Sequence, residues 1–120
     1  MFEVDFYADS HGDCELVDYI RHLDSSKQLD DVRVLGKIVY QINMLRNLGP
    51  AIHMPQARHL RGYAEPISEL RPMPERIFYA PWDGSRYVLL SHYTKKKNTT
   101  DVREVERALR MLGDWRKRME

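Results

Sequence analysis

Apolar and polar positions alternate from the first residues of the chain. Phe2, Val4, Phe6 and Ala8 fall on one side and Glu3, Asp5 and Tyr7 on the other, a period of two that predicts a strand. "SHGD" reads as a turn, with Asp13 placed to cap a helix whose stripe is Leu16, Ile20 and Leu23. "DSSK" interrupts that pattern. The next helix is the clearest element: Leu35, Ile38, Val39, Ile42 and Leu45 recur at helical spacing, and Gly49-Pro50 ends the run. The two helices are expected to form a hairpin.

From His53 to Gly62 the chain is polar, with room for a short edge strand in "ARHLRG". Three strands are expected next, at Ser68–Arg71, Arg76–Ala80 and Arg86–Tyr93. Pro72-Met73-Pro74-Glu75 turns between the first two, and its prolines keep strand pairing out of the loop. Asp83-Gly84 between the last two carries the signal of a type I′ hairpin. A lysine run leads to a final helix with Asp101 and Glu104 as a capping box and Val102, Val105, Leu109 and Leu112 as its apolar stripe. The order β-α-α-β-β-β-β-α predicts an α+β fold: a small antiparallel sheet packed by an N-terminal helical hairpin and a C-terminal helix. With 120 residues and no linker-like composition, residues 1–120 are expected to form one domain.

Composition narrows the class. At 42% hydrophobic and 31% charged, the chain reads as soluble and globular rather than disordered. No apolar run approaches the roughly 20 residues that span a bilayer, so no membrane partner is expected. The acidic start "MFEVDFYAD" lacks the basic segment of a signal peptide. Cys14 is the one cysteine, which rules out an internal disulfide. A cytoplasmic location follows as the expectation. Cys14 stands where a helix dipole could activate a thiol, but nothing else points to a cysteine nucleophile, and a structural role is the simpler reading. None of His11, His22, His53, His59 and His92 enters a zinc-type spacing, so neither a metal nor another cofactor is expected.

Charge changes the picture more. Residues 1–57 hold 5 Lys/Arg against 9 Asp/Glu, a net −4; residues 58–120 hold 14 against 9, a net +5. That asymmetry raises the case for a polyanionic partner on the C-terminal half. Glu69 and Arg71 share one strand face by the period of two, and Arg76 opens the neighbouring strand across a short turn. Their guanidinium groups are expected to meet at one end of the sheet, with Lys95, Lys96 and Lys97 leaving the last strand nearby. Arginine grips phosphate bidentately and lysine serves as a mobile point charge. His92 and Tyr93 lie just upstream and can exchange protons or stack on a base. Arg61 adds a further RNA-binding candidate. The plainer alternative is a Glu69–Arg71 surface ion pair beside a solvated lysine loop.

"SELRPMPERIFYA", "YVLLSHYTKKKNTT" and "DVREVERALRMLGDW", in this order and spacing, resemble the RelE-like toxin superfamily and most of all its phage-type HigB branch. Leu60 and Gly62 before Glu69–Arg71 fit the same pattern, and the likeness spans nearly the whole chain. The resemblance implies a metal-independent endoribonuclease of a toxin–antitoxin pair, acting on mRNA at the ribosome and restrained by a HigA-like helix-turn-helix antitoxin. It implies Arg71, Arg76, Lys95 and Lys96 as phosphate-binding catalytic residues and His92 as a proton-transfer group; Lys97, Tyr93 and Arg61 stand beside them as RNA-contact candidates from the residues themselves. Two departures stand out. Trp115 lies in the region where some relatives carry a catalytic tyrosine, and Asp13-Cys14 replaces the usual proline after the first turn glycine. The alternatives are a non-catalytic protein that inhibits translation by occlusion and a phage structural protein whose basic patch serves assembly.

Overall fold

The computed structural model describes residues 1–96 and 99–119. Its elements are β1 (Glu3–Phe6), α1 (Glu15–Ser25), α2 (Leu29–Leu48), a 3-10 turn (Gly49–Ala51), β2 (Ala57–His59), β3 (Ser68–Leu70), β4 (Glu75–Asp83), β5 (Arg86–Thr94) and α3 (Val102–Arg118). The strands form one five-stranded sheet in the order β1-β5-β4-β3-β2. Among the described residues no helix is long and apolar enough to cross a membrane.

Strands β2 to β5 pair antiparallel, but β1 lies parallel to β5, with Phe6 opposite Leu89. The sheet is mixed rather than antiparallel throughout. Strand β1 must deliver the chain to α1, which packs beside the C-terminal half of β5, where Tyr19 stacks on His92 at 4.4 Å. It therefore runs in the direction of β5.

Alternation along β4 divides the core in two. Ile77 and Tyr79 join Leu70, Tyr87 and Leu89 on the face covered by α1 and α2. Phe78 and Ala80 join Ile67, Val88 and Leu90 beneath α3. The helical stripes are rotated from those expected. In α2 the buried residues are Ile38, Gln41, Ile42 and Leu45, while Val39 is half-exposed. In α3 they are Val105, Ala108, Leu112 and Trp115, while Val102 is half-exposed. Both sets keep to i, i+3 and i+7, the spacing that best follows 3.6 residues per turn.

Two turns also differ in detail. Asp9, not Asp13, organises the first: its carboxylate accepts from the N–H groups of His11 at 2.8 Å and Asp13 at 3.0 Å. Asp13 is thereby held inside the turn, and Cys14 caps α1, its Sγ accepting from the Val17 N–H at 3.5 Å. The β4–β5 hairpin closes on Gly84-Ser85, because Asp83 still pairs with Arg86. Gly84 has φ +45° and Ser85 has none of the positive φ a type I′ turn needs, so the glycine stands first, as in type II′. At the end of α2, Gly49 has φ +52°, and a Cβ there would collide with the Phe2 ring.

One irregularity decides the layout of the site. Ile77 pairs with His92 but Tyr79 with Leu89, so Leu90 and Ser91 together face Phe78 in a bulge. A bulge of one residue reverses the facing of everything beyond it. Tyr93 therefore lies on the α3 face, stacked on Phe78 at 5.6 Å and 15°. His92 turns to the opposite face, against Tyr19.

Candidate functional site

Two charges lie buried at the end of the sheet on the α3 face. Glu69 occupies β3 between Arg58 of β2 and Phe78 of β4. It is 0% exposed, and Arg76 is 1% exposed. The Arg76 Nε lies 3.9 Å from Glu69 Oε1, too far for a hydrogen bond. Among the described residues neither Glu69 oxygen has a hydrogen-bond partner, nor has Arg76 Nε. The Arg76 Nη1 donates to the Glu75 carbonyl at 3.0 Å and to the Met73 Sδ at 2.9 Å. Buried polar atoms are almost always paired, so a carboxylate with both oxygens bare needs an explanation.

Burial pushes the Glu69 carboxyl above its ordinary value, against the opposing pull of Arg76, Lys95, Arg71 and Arg58. Burial likewise draws Lys95 below the usual lysine range, and the like charge of Arg76 adds to it. It also lowers Arg76, helped by Arg71, but a guanidinium stays charged at neutral pH. A stability prediction follows. Folded Glu69 holds its proton more tightly than unfolded Glu69, so stability should fall as pH rises from about 4.5, the ordinary carboxyl value, to the raised folded value. Glu69→Gln should remove that slope. Chemical denaturation of both proteins across the acidic range checks it, and a difference between them that does not change with pH would refute it.

The surrounding groups are set by their elements. Arg71 lies just past the end of β3, and buried Gln41 of α2 clamps its backbone. The Gln41 side chain donates to the Arg71 carbonyl at 3.0 Å and accepts from its N–H at 2.9 Å. The Arg71 Nη1 donates to the Met54 Sδ at 2.8 Å, while its Nε has no hydrogen-bond partner among the described residues. Lys95 is tied down by its backbone N–H, which donates to the Pro74 carbonyl at 3.0 Å. The Tyr93 hydroxyl is buried near the Asp101 backbone, in a geometry short of a hydrogen bond, and burial pushes its pKa up. Tyr93, Lys95, Lys96 and Thr99 line a cleft of about 400 Å³. A neighbouring groove, also bordered by Thr99, carries Arg58, Arg61 and Tyr63.

The structure thus gathers Arg71, Arg76, Tyr93 and Lys95 around Glu69, with Lys96 on the cleft wall and Arg61 one groove away. It does not bring His92 to them. The His92 Nδ1 faces Glu75 Oε1 at 3.1 Å on the other side of the sheet, and the second Glu75 oxygen accepts from the Thr94 hydroxyl. Lys97 lies outside the described residues. Trp115 is a core residue, packed edge-on to Trp82. Sequence reasoning missed Glu69 as more than a surface ion-pair partner, and it missed Arg58. A signal was present: Glu69 alternates with Ile67, a core residue of the α3 face.

Fold and site define a small α+β protein with a basic sheet end built over a buried Glu–Arg pair. The chain belongs to the family of phage-derived Gp49-like proteins (DUF891), whose sequence profile matches residues 18–113. This is a toxin-like family of type II toxin–antitoxin systems. No curated protein matches the chain.

Proposed function

We propose that this protein is the toxin of a type II toxin–antitoxin pair of the HigB kind, a metal-independent endoribonuclease acting on ribosome-bound mRNA. The observation that carries the reading is Glu69: a buried carboxylate whose two oxygens have no hydrogen-bond partner among the described residues, ringed by Arg71, Arg76 and Lys95. RNA supplies its own nucleophile in the 2′-OH. Phosphate draws Arg71 and Lys95 onto itself and opens the way to the carboxylate beneath. Glu69 takes the 2′-OH proton as the 2′-oxygen bonds to phosphorus, and its raised pKa makes it a stronger base than an exposed carboxylate. Arg71 and Arg76 offset the charge that grows on the phosphoryl oxygens. The bond from phosphorus to the 5′-oxygen breaks, and Lys95, made more acidic by burial, protonates the leaving oxygen. Lys96, Arg61 and Arg58 bind neighbouring phosphates, and Tyr93 forms the cleft wall. The products are a 2′,3′-cyclic phosphate and a 5′-hydroxyl. Proton transfer passes in this scheme to Glu69 and Lys95 rather than to His92.

One observation favours a second reading, inhibition by occlusion: the carboxylate is wholly covered in the free protein. Primer extension on translated messages, with and without ribosomes, separates the two. Discrete cuts that need the ribosome support the nuclease; a translation block with intact message supports occlusion.

A toxin-like family implies an antitoxin. We place its docking surface on the acidic N-terminal helices, where Asp18 and Asp24 are exposed, rather than over the cluster. Reversing both charges to lysine should weaken the complex more than Lys95→Ala does. Calorimetric titration checks this; unchanged affinity for the double reversal, with clear loss for Lys95→Ala, would move the antitoxin to the cleft.

A further inference from the structure

Both arginines at the surface of the site, or just below it, end on a methionine. Arg71 Nη1 donates to Met54 Sδ at 2.8 Å, and Arg76 Nη1 to Met73 Sδ at 2.9 Å. The methionines come from separate turns, Met54 before β2 and Met73 before β4, and each stands directly before a proline. They are 50% and 51% exposed, so an oxidant in solvent reaches them. Neither is spent on the core. A thioether is a weak acceptor and holds a guanidinium loosely. That suits arginines that must be handed over to phosphate.

We propose that Met54 and Met73 are a paired oxidation site that switches the basic cluster off. The oxidant is a peroxide. The thioether sulfur attacks one peroxide oxygen, the O–O bond breaks, the sulfur is oxidised to the sulfoxide, and the other oxygen leaves as water. The new S=O oxygen is a strong acceptor placed where a guanidinium N–H already points. A charge-assisted hydrogen bond replaces a weak one. Arg71 and Arg76 are then pinned to their own turns and withdrawn from phosphate. Sulfoxide reduction reverses the change. This inference rests on the phosphate-binding role proposed for the two arginines.

The test uses the full chain, hydrogen peroxide, and a short single-stranded RNA with 2′-O-methyl riboses that cannot be cut. Peptide mass spectrometry should find Met54 and Met73 converted at least as fast as Met119, which is 44% exposed. RNA affinity by fluorescence anisotropy should fall about tenfold or more on conversion. The Met54→Leu/Met73→Leu variant, which keeps side-chain volume, should bind as the untreated protein does and ignore peroxide. Unchanged affinity after full conversion, or an equal loss in the variant, overturns the proposal. If the untreated protein binds no free RNA, as a ribosome-dependent nuclease need not, guanidinium NMR decides the switch by itself. Slowed rotation of the Arg71 and Arg76 Nη groups after oxidation supports pinning, and unaltered signals reject it.

Discussion

Arg76→Ala should cost about 3–5 kcal/mol of folding stability at neutral pH, the range for stripping one partner from a buried ion pair. The reason is Glu69. It is fully buried, its oxygens have no hydrogen bonds among the described residues, and Arg76 is the largest of the charges that favour its ionised form. Without Arg76 the carboxylate must stay ionised in an apolar wall or take up a proton. A sequence reading of Arg76 as a polar residue at a strand end would predict almost no loss. Combining Arg76→Ala with Glu69→Gln should restore a large part of the stability, because the charge that needed offsetting is gone. Denaturant titrations of the wild type, both single variants and the double variant give the coupling energy. A single Arg76→Ala loss below about 1 kcal/mol, the scale of an exposed pair, would mean that the two groups do not depend on each other. Growth assays with Arg76→Ala would mix folding with function, and Arg76→Lys is the cleaner probe.

The second large effect separates folding from chemistry at one atom. Glu69→Gln keeps the volume of the side chain and removes a buried charge, so the protein should fold at least as stably as the wild type near neutral pH. Cleavage should nonetheless fall about 10²- to 10⁴-fold, the contribution of a positioned general base. Binding of uncut RNA should persist, since the amide leaves Arg71, Arg76 and Lys95 in place. The check is a single-turnover cleavage rate beside an affinity for the 2′-O-methyl oligonucleotide. Full activity in the glutamine variant would remove Glu69 from the mechanism.

The elements of this fold were largely legible because each carries its own periodicity, and the two prolines of the Pro72–Glu75 turn mark where pairing must stop. The parallel placement of β1 was not legible. Its direction depends on where α1 packs, which is a tertiary fact. The meeting of Arg71, Arg76 and Lys95 followed from strand ends that lie side by side. The position of His92 did not, because it depends on the bulge at Leu90-Ser91, and that pair has no residue preference that announces one. Strict alternation would have placed His92 on the face of Arg76. Glu69 shows a different kind of limit. Alternation places it on the face of Ile67, but its depth of burial is a tertiary property that the strand's own pattern does not carry.

The measurement that bears most directly on the central claim is cleavage of a ribosome-programmed message carrying either ribose or 2′-O-methyl ribose at the codon that is cut. Purified protein should cut the ribose message, leave a 2′,3′-cyclic phosphate on the upstream fragment, and fail on the methylated one, because the nucleophile is then blocked. Equal cutting of both messages, or intact ribose message at saturating protein, would contradict the account.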